Sequence, residues 1–389
     1  MTAAAPPRAT LATVTRSLNA WVEVDLEALA GNVARLRAAL GPGVEIIAVV
    51  KANAYGAGLG LVPALEAAGV ERFAVVWASE ALALRALGLR RPIVVLGHAF
   101  PADADALVAQ DITTTVDTVE LGLALSAAAV RAGRVAKAHV HIDSGLHRDG
   151  LAPEEGVALA TSLRAMPGLV VEGLSTHMAN ADEADDSFSL AQHAAFAAVV
   201  RRLPWIPYRH SANSATALRH GEFRFEGVRL GLALHGVPPE NTPDPGLRPI
   251  LSIHARVARV SEVPAGEGVS YGLTWRAERP SRVALIPIGY ADGWRRSLGN
   301  HGAVLVAGQR CPMVGRVCMD QFLVDVTAAG PVAAGDEAVL LGAQGTAEIT
   351  ADEVAEAAGT IPWDVFASLQ ARLPRLYHRA GIVEDGMPG

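Results

Sequence analysis

Eight short apolar runs alternate with longer helical segments between residues 45 and 235, and this alternation constrains the fold more than any other feature. The runs span 45–50, 73–77, 93–96, 112–116, 138–143, 170–176, 208–212 and 227–232. Segments between them, such as 59–68, 79–87, 118–132, 154–166 and 188–203, are rich in alanine and leucine, and several carry apolar residues at helical spacing. Buried strands alternating with helices predict an α/β domain, a closed (β/α)8 barrel. An open doubly wound sheet is the alternative, although no G-x-G-x-x-G motif follows the first run.

The pattern changes after residues 241–249, a proline-rich stretch that we interpret as a linker. The runs 252–260, 282–288, 303–306, 322–326 and 337–341 then follow one another with turn residues between them, and helical segments return only at 351–358 and 363–369. We therefore predict a barrel domain over residues 17–245 and a mainly β C-terminal domain over 246–389. Residues 21–25 alternate like a strand whose partner the sequence leaves open, and residues 1–16 are predicted to form a flexible tail.

Composition excludes several classes of function. The 389 residues are 51% hydrophobic and 19% charged, which is typical of a folded globular protein of two domains. The net charge of -7 argues against a dedicated nucleic-acid binder. The N-terminus lacks the cationic start and apolar run of a signal peptide, and no stretch approaches the ~18 apolar residues of a membrane span, so we predict a cytoplasmic protein. The pair Cys311 and Cys318 forms neither a disulfide framework nor a four-ligand site, and no metal is predicted.

Catalytic groups in barrel enzymes lie at the carboxyl ends of the strands. The first strand ends in Val-Val-Lys-Ala-Asn-Ala-Tyr-Gly, which contains Lys51, one of only two lysines in the chain. A lysine at a barrel mouth is partly desolvated, and desolvation lowers the pKa of an amine and makes it a usable nucleophile. The alternative is that Lys51 is an ordinary solvated lysine at the end of a strand. The asparagine, tyrosine and glycine that follow favour a functional site.

Polar side chains also follow the later predicted strands. The fifth to eighth strands are followed by or contain His139, His141, Asp143, Arg148, His177, His210, Asn213, Ser214 and Arg229. A single histidine at such a position is more often structural than catalytic. One lysine, several histidines and two arginines at one edge together indicate a site for an anionic ligand that carries a carbonyl group.

Two tyrosines of the second domain lie beside glycines in turn-like stretches, Tyr271 in Val-Ser-Tyr-Gly and Tyr290 in Pro-Ile-Gly-Tyr-Ala-Asp-Gly. A third motif, Gly-Arg-Val-Cys-Met-Asp, contains Arg316, Met319 and Asp320. Because a buried tyrosine is usually a packed aromatic with a satisfied hydroxyl, composition alone does not assign these residues a role.

These motifs together, in this order, resemble the alanine racemase family of fold-type III pyridoxal-phosphate enzymes, from about residue 20 to residue 377. The resemblance implies pyridoxal 5'-phosphate as cofactor and L- and D-alanine as substrates. It implies a homodimer with shared active sites, in which D-alanine is supplied for peptidoglycan synthesis. Lys51 would join the cofactor aldehyde and act as base on one face, and Tyr271 from the partner subunit would act on the other.

The resemblance implies roles for further residues. Tyr55, Asn213, Ser214, Gly231 and Leu232 would help hold the cofactor, mainly at its phosphate, and Arg229 would face its pyridine nitrogen. His177 would link Arg229 to the catalytic tyrosine, and His210 would support that arginine. Arg148 and the backbone amide of Met319 would bind the substrate carboxylate. Supporting positions, several of them lining the substrate entrance, are Asp182, Tyr290, Arg316 and Asp320.

Two positions depart most clearly from the family pattern, and Ala57 and His235 are lesser departures. His141 stands where many members carry a carbamylated lysine that orients the substrate-binding arginine, so Arg148 needs another partner. We expect either a bound anion such as chloride or His141 itself. Trp363 stands where the family often has a tyrosine that contacts the phosphate. Because the indole ring of Trp363 would still fill that side of the substrate pocket, we expect small substrates to remain preferred.

Two rival functions stay open at this point. The first is another enzyme of the same fold type, such as a broad-specificity racemase or an amino-acid decarboxylase. Tyr271 favours racemisation, because a decarboxylase has no need of a second base there. The second rival is a non-catalytic cofactor-binding protein with a related barrel. The second domain with its Val-Ser-Tyr-Gly motif argues against it, because such proteins resemble the barrel alone.

Overall fold

A computed structural model describes residues 9–384. The chain forms two compact units, one of which contains Leu29–Ala52 and Val62–Arg248. The other contains the residues before Leu29, the segment Asn53–Leu61 and the residues from Pro249 onward. Among the residues described, no helix is long and apolar enough to cross a membrane.

The strands are numbered in chain order. They are β1 (Ala20–Asp25), β2 (Glu45–Val49), β3 (Arg72–Val75), β4 (Ile93–Val95), β5 (Ile112–Thr115), β6 (Ala136–His141), β7 (Leu169–Ser175), β8 (Tyr208–His210), β9 (Gly227–Leu230), β10 (Leu251–Arg256), β11 (Arg259–Val263), β12 (Gly268–Val269), β13 (Trp275–Arg276), β14 (Ser281–Ile286), β15 (Ala303–Val306), β16 (Gln309–Val314), β17 (Phe322–Asp325), β18 (Glu337–Gln344), β19 (Ala347–Ile349), β20 (Arg375–Arg379) and β21 (Ile382–Val383).

The right-handed helices are Leu11–Val14, Leu26–Leu40, Val62–Ala67, Ala78–Ala86, Ala104–Ala109, Val119–Ala132, Pro153–Arg164, Ser187–Arg202, Ser214–Arg219, Ala351–Ala358 and Pro362–Ala367. Their ends follow ordinary capping chemistry. Thr118 accepts a hydrogen bond from the Leu121 amide at the start of one helix, and Gly133 ends the same helix in the left-handed conformation.

The first unit is built on a parallel eight-stranded sheet in the order β8-β7-β6-β5-β4-β3-β2-β9. Its two end strands approach each other, since the Arg229 amide donates to the Ala212 carbonyl at 2.9 Å and the Glu226 amide donates to the Arg209 carbonyl at 3.2 Å. Strands such as β4, β5 and β9 are buried along their whole length, as expected when both faces of a sheet are covered. The predicted α/β barrel of eight strands is confirmed, with strand ends within a few residues.

The second unit contains a mainly antiparallel sheet of eleven strands, in which β1 lies between β10 and β20 and pairs in parallel with β20. The predicted barrel domain of residues 17–245 therefore begins too early, because β1 belongs to the other sheet. The alternation of residues 21–25 fits a strand equally well in either sheet, which is why the sequence left its partner open. The units divide again between Arg248 and Pro249, close to the predicted linker.

Two further predictions need correction. Residues 252–260 form two strands, β10 and β11, because the chain changes partners there. The Val257 amide donates to the Asp336 carbonyl and the Ala258 amide to the Leu285 carbonyl, each at 2.8 Å. For the predicted flexible tail, residues 1–8 lie outside the described part. From residue 9 the chain is ordered, since the helix Leu11–Val14 begins with an amide that donates to the Gly381 carbonyl at 2.9 Å.

Candidate active site

Lys51 begins a single helical turn, Lys51–Tyr55, that is left-handed. The four residues from Ala52 to Tyr55 all have φ between 52° and 53°, and none of them is glycine. Such a conformation costs about 1–2 kcal/mol per residue for L-amino acids. A run of this kind persists only where the surroundings enforce it.

Glu80 holds the backbone at the start of this turn. One carboxylate oxygen accepts from the Ala52 amide at 2.7 Å, and the other accepts from the amides of Val76 and Trp77 at 3.0 Å each. These contacts tie the residue after Lys51 to the end of the neighbouring strand β3. These hydrogen bonds therefore fix the backbone next to Lys51 independently of any contact of the lysine side chain.

The Lys51 amine lies in an electropositive environment. Burial lowers its pKa, and the guanidinium groups of Arg148 and Arg229 lower it further, while Glu80 and Asp149 act in the opposite direction. A lowered pKa increases the neutral fraction of an amine near neutral pH, and only the neutral amine is a nucleophile or a base. The prediction of a partly desolvated lysine at this strand end agrees with this placement.

Arg229 is 6% exposed, and its guanidinium is surrounded by acceptors. Nη1 donates to His210 Nδ1 at 2.8 Å and to the His210 carbonyl at 2.7 Å. Nη2 donates to the Thr176 and Ser211 carbonyls at 2.7 and 3.0 Å and to His177 Nδ1 at 2.9 Å. Burial lowers the pKa of Arg229 to about 10, so the group stays charged at neutral pH.

His177 and His210 are neutral because burial and the adjacent Arg229 lower their pKa values well below the usual range. A guanidinium has no acceptor, so the Nδ1 atom of each ring must accept. Each ring therefore carries its proton on Nε2. His177 can present this N–H to an acceptor on the side away from Arg229.

Arg148 has a side-chain acceptor in the structure. Its Nε donates to Asp149 Oδ1 at 3.4 Å. His141 approaches Asp149 instead, with Nε2 3.7 Å from the same oxygen, while His141 Nδ1 hydrogen bonds Ser175 Oγ at 2.8 Å. Arg148 and His141 thus approach the same carboxylate oxygen, and the expectation that His141 itself or a bound anion orients Arg148 stays a prediction. The acceptor is Asp149, which the sequence analysis did not single out.

Asp143 shapes the loop that carries Arg148. Its Oδ1 accepts from the amides of Gly145 and His147 at 2.9 and 3.1 Å, and its Oδ2 lies 2.9 Å from His147 Nδ1. Burial raises the pKa of Asp143, but these hydrogen bonds outweigh it and the net pKa is lowered. The ionised carboxylate fixes the turn just before the arginine.

A set of small donors lies near the ends of β8 and β9. Asn213 caps the helix Ser214–Arg219, since its side-chain oxygen accepts from the Thr216 amide at 3.1 Å. The buried Ser214 hydroxyl accepts from the Gly231 amide at 3.3 Å, and Leu232 begins a short 3-10 turn next to it. Hydroxyl and backbone N–H groups of this kind suit a phosphate.

The second unit contains the remaining predicted residues, and we describe them within that unit. Tyr55 is 8% exposed, and burial raises its pKa to about 12, so its hydroxyl stays protonated. Tyr271 lies at the tip of the hairpin formed by β12 and β13 and is 70% exposed. The hairpin is held by Ser270, whose hydroxyl donates to the Arg316 carbonyl at 2.7 Å. The Arg316 guanidinium packs against Gly272, where an added Cβ would lie 3.0 Å from Nη1.

Arg372 joins two loops of the second unit. It contacts the buried Asp292 through Nε and donates from Nη2 to Asp320 Oδ1 at 2.7 Å. The loops themselves pair through their backbones, because the Tyr290 amide donates to the Cys318 carbonyl at 3.1 Å and the Ala291 amide donates to the Met319 carbonyl at 2.9 Å. The arrangement leaves the Tyr290 and Met319 side chains 43% and 54% exposed.

Two predicted residues remain. Trp363 is half-buried in the helix Pro362–Ala367 of the second unit. Asp182 lies in the first unit, where its carbonyl accepts from Asn241 Nδ2 at 2.8 Å. Neither contact identifies a role. The first unit brings together Lys51, His141, Arg148, His177, His210 and Arg229, while Tyr55, Tyr271, Tyr290, Arg316, Met319, Asp320 and Trp363 lie in the other unit.

Comparison with known proteins identifies the family to which the chain belongs. The model of the alanine racemase N-terminal domain matches residues 24–239, and that of the alanine racemase C-terminal domain matches residues 250–377. The chain belongs to the alanine racemase family. An alanine racemase from Halothermothrix orenii is 40% identical over 366 residues, which cover 92% of this chain and 96% of that relative.

Solved structures of alanine racemases agree. The enzyme from Bacillus anthracis, with bound L-Ala-P, superposes with a TM-score of 0.88 at 37% identity, covering 94% of this chain and 97% of that one. The enzyme from Bartonella henselae, with covalently bound pyridoxal phosphate, gives a TM-score of 0.85 at 31% identity, covering 92% and 99% of the two chains. The protein is thus an isomerase of a pyridoxal-phosphate-dependent family.

Proposed function

We propose that this chain interconverts L- and D-alanine by transferring the α-proton between two bases on opposite sides of a substrate bound to pyridoxal 5'-phosphate. The observation that carries the proposal is Lys51, a half-buried amine beside two guanidinium groups at the end of a barrel strand. When bound, the cofactor supplies an electron sink for the charge left on the α-carbon. The remaining steps belong to side chains of the protein.

The hydrogen-bonding groups of these side chains suit pyridoxal 5'-phosphate. Arg229 is a permanently charged donor with no acceptor capacity, which suits a pyridine nitrogen that carries no proton. The Ser214 hydroxyl and the amides of Gly231 and Leu232 would hold the phosphate, together with the protonated hydroxyl of Tyr55. Asn213 would support this set by capping the helix that Ser214 begins.

Two groups would move the proton. The Lys51 amine would remove or return it on one face, which the lowered pKa of that amine favours. We assign the other face to Tyr271 of the partner subunit, because this phenol is exposed at a hairpin tip. His177 would donate its Nε2 proton to that phenol oxygen and so connect it to Arg229. The proposal therefore includes a homodimer with two shared sites.

Substrate binding falls to Arg148 and the backbone amide of Met319, which would both bind the carboxylate. Tyr290, Arg316 and Asp182 would line the entrance, and Asp320 would support it. Trp363 would form one wall of a pocket for a small side chain. D-alanine supplied in this way would serve peptidoglycan synthesis. The cytoplasmic location stays a prediction.

Incubation of L-alanine with the holoenzyme in deuterium oxide tests the reaction. We expect D-alanine that carries deuterium at the α-carbon, resolved by chiral chromatography with mass spectrometry. Lys51→Ala should abolish the exchange on both faces, whereas Lys137→Ala, which replaces the other lysine, should leave it unchanged. Carbon dioxide release in place of exchange would identify a decarboxylase. Equal rates with alanine and a branched amino acid would identify a broad-specificity racemase.

A further inference from the structure

A continuous row of four side chains leads from Arg229 to Glu172, and we call it the buried histidine chain (Arg229, His210, His139 and Glu172). Arg229 Nη1 donates to His210 Nδ1 at 2.8 Å, and His210 Nε2 lies 2.9 Å from His139 Nδ1. His139 Nε2 lies 3.3 Å from Glu172 Oε1. Both imidazoles are fully buried, and 21% of the Glu172 side chain is exposed.

The two ends of the chain differ in hydrogen-bonding capacity. Arg229 can only donate, and an ionised carboxylate can only accept. Each neutral imidazole between them has one donor and one acceptor nitrogen. All the hydrogen bonds of the chain can therefore form together only if each group donates toward Glu172. His210 carries its proton on Nε2 and donates to His139, which carries its own proton on Nε2 and donates to Glu172.

The charge states needed for this arrangement agree with the surroundings. Burial lowers the pKa of His139 and of His210, so both rings are neutral at neutral pH. Burial raises the pKa of Glu172, but hydrogen bonds from His139 and Thr113 and the charge of Arg72 outweigh it, so the net pKa is lowered. The carboxylate is thus an ionised acceptor under physiological conditions.

The carboxylate is held in place by two further donors. Thr113 Oγ1 donates to Glu172 Oε1 at 3.0 Å, and Arg72 Nη1 approaches the same oxygen at 3.3 Å. Arg72 is itself bound by Glu45 at 2.7 Å and stacks over the Tyr208 ring with its guanidinium carbon 4.1 Å from the ring centroid. The acceptor end of the chain is therefore anchored independently of the histidines.

The backbone provides the space for this contact. In the pairing of β6 with β7, Ala138 faces Val171 and His139 faces Gly173, so Glu172 is the extra residue of a β-bulge. Bulges of this kind redirect a side chain and are common near active sites. A Cβ at Gly173 would lie 2.5–2.7 Å from three atoms of the His139 ring, so only glycine leaves room for the imidazole.

We infer that Glu172 is a positioning residue of this enzyme, which acts through His139 and His210 to fix the nitrogen that faces Arg229. Without the carboxylate, His139 has no acceptor for its Nε2 proton and can carry the proton on Nδ1, toward His210. His210 would then place its own proton on Nδ1 and oppose the guanidinium, donor against donor. Arg229 would lose its hydrogen bond to the His210 ring, although its other acceptors would remain. The inference rests on the proposed function, in which Arg229 faces the cofactor.

Neutron diffraction from deuterated holoenzyme tests the inference without any assay of activity. We expect deuterium on Nε2 of both His139 and His210 and none on Nδ1 of either ring. Deuterium on His139 Nδ1, or on both nitrogens of one ring, would overturn the inference. This outcome is separate from the reaction, because the tautomers can be as expected in a protein that fails to racemise alanine.

Three variants separate positioning from simple stabilisation. Glu172→Leu should lower kcat for racemisation about 10- to 100-fold, by analogy with the loss of a hydrogen-bond partner of a metal-ligating histidine, with a smaller change in KM. Glu172→Gln should keep most of the activity, because its amide oxygen still accepts from His139. Glu45→Leu is the matched control, since it breaks the same ion network at Arg72 without touching a histidine, and kcat should stay unchanged.

Equal losses of kcat in Glu172→Leu and Glu45→Leu would contradict the inference, because the carboxylate would then act only through the ion network. A Glu172→Leu enzyme with unchanged kcat would do the same. Should that variant fail to fold, Glu172→Gln and the neutron structure still decide the question. In Glu172→Gln the tautomers of both histidines should match those of the unmodified enzyme.

Discussion

The Nε2 atom of His141 lies 3.7 Å from Oδ1 of Asp149, and the same oxygen accepts a hydrogen bond from the Nε of Arg148. A partly buried imidazole and an exposed guanidinium therefore both approach one carboxylate oxygen. His141 is fixed on its other side by Ser175. The aspartate is thus placed between a rigid group and the residue that we assign to the substrate carboxylate.

Replacing Asp149 by alanine should weaken substrate binding more than turnover. Arg148 would lose its acceptor and occupy more orientations, so we expect KM for alanine to rise about two- to fivefold with kcat nearly unchanged, since exposed ion pairs contribute up to about 1 kcal/mol. Steady-state kinetics measure both constants. Glu154→Ala removes an exposed pair with Arg202 that does not include Arg148, and should leave KM unaltered. A fall in kcat alone would argue against the role of Asp149.

The stability of the protein should fall as the pH drops below the ordinary pKa of histidine. Burial, followed by the charge of Arg229, lowers the pKa of His141 to about 4. Between pH 6.5 and pH 4 the unfolded chain binds a proton there and the folded protein does not. The contribution of His141 is therefore fully present above pH 6.5 and is lost progressively as the pH falls from 6.5 to about 4.

Urea unfolding at several pH values, at one protein concentration, checks this effect. His141→Asn should show a shallower decline of the unfolding free energy between pH 6.5 and 4 than the unmodified protein. Ser175→Ala keeps the imidazole and should retain the steep decline. Parallel curves for His141→Asn and the unmodified protein would show that this histidine titrates normally.

Mixing two inactive variants should restore activity if the sites are shared between subunits. Lys51→Ala and Tyr271→Phe each remove one base, but a dimer with one copy of each contains one site with both bases intact. After unfolding and refolding of an equimolar mixture, we expect roughly a quarter of the unmodified activity, as random pairing predicts for a two-fold dimer. Each variant refolded alone should stay inactive, and an inactive mixture would place both bases within one subunit.

Replacing Arg372 by leucine should loosen the two loops that it joins. The buried carboxylate of Asp292 would lose its cation, so the melting temperature should fall by several degrees. KM for alanine should rise as the backbone of Met319 becomes mobile. Asp320→Ala removes only the exposed half of the contact and should give a smaller loss of stability. Calorimetry and kinetics on the two variants provide the comparison, and equal losses would refute a dominant role for Asp292.

Shortening Trp363 should change the choice of substrate. Trp363→Ala would open one wall of the proposed pocket, so kcat/KM for a branched amino acid relative to alanine should increase by about tenfold, the value of one or two methylene groups in an apolar pocket. Trp363→Tyr keeps a ring of similar reach and should keep the preference for alanine. An unchanged ratio in Trp363→Ala would remove this residue from the pocket.

The barrel could be predicted closely because its strands are buried on both faces and read as unbroken apolar runs. The strand β1 could not be assigned to a sheet, since alternation such as that of residues 21–25 records burial but not the identity of the neighbour. Lys51 was found because lysine is rare in this chain and follows a strand. His177, His210 and Arg229 were singled out because they follow or lie within predicted strands, and in the structure both histidine rings contact Arg229.

Residues whose contacts depend on the folded backbone left no signal in the sequence. Glu172 meets His139 only because a bulge in β7 shifts the pairing, and a bulge has no reliable pattern in a single sequence. Asp149 looks like a solvated acid on a loop, and its contact with Arg148 depends on the turn that Asp143 holds. Arg372 lies far along the chain from both aspartates that it joins.

The reversed hand of the turn from Ala52 to Tyr55 means that the Lys-Ala-Asn-Ala-Tyr-Gly segment is not a portable motif. Grafted after a strand of another barrel, the same six residues would adopt an ordinary right-handed or extended course, because nothing there would offset the cost of four left-handed residues. The amine would then leave the backbone in a different direction. Designers who transfer this lysine must also transfer Glu80 and the strand end to which it binds.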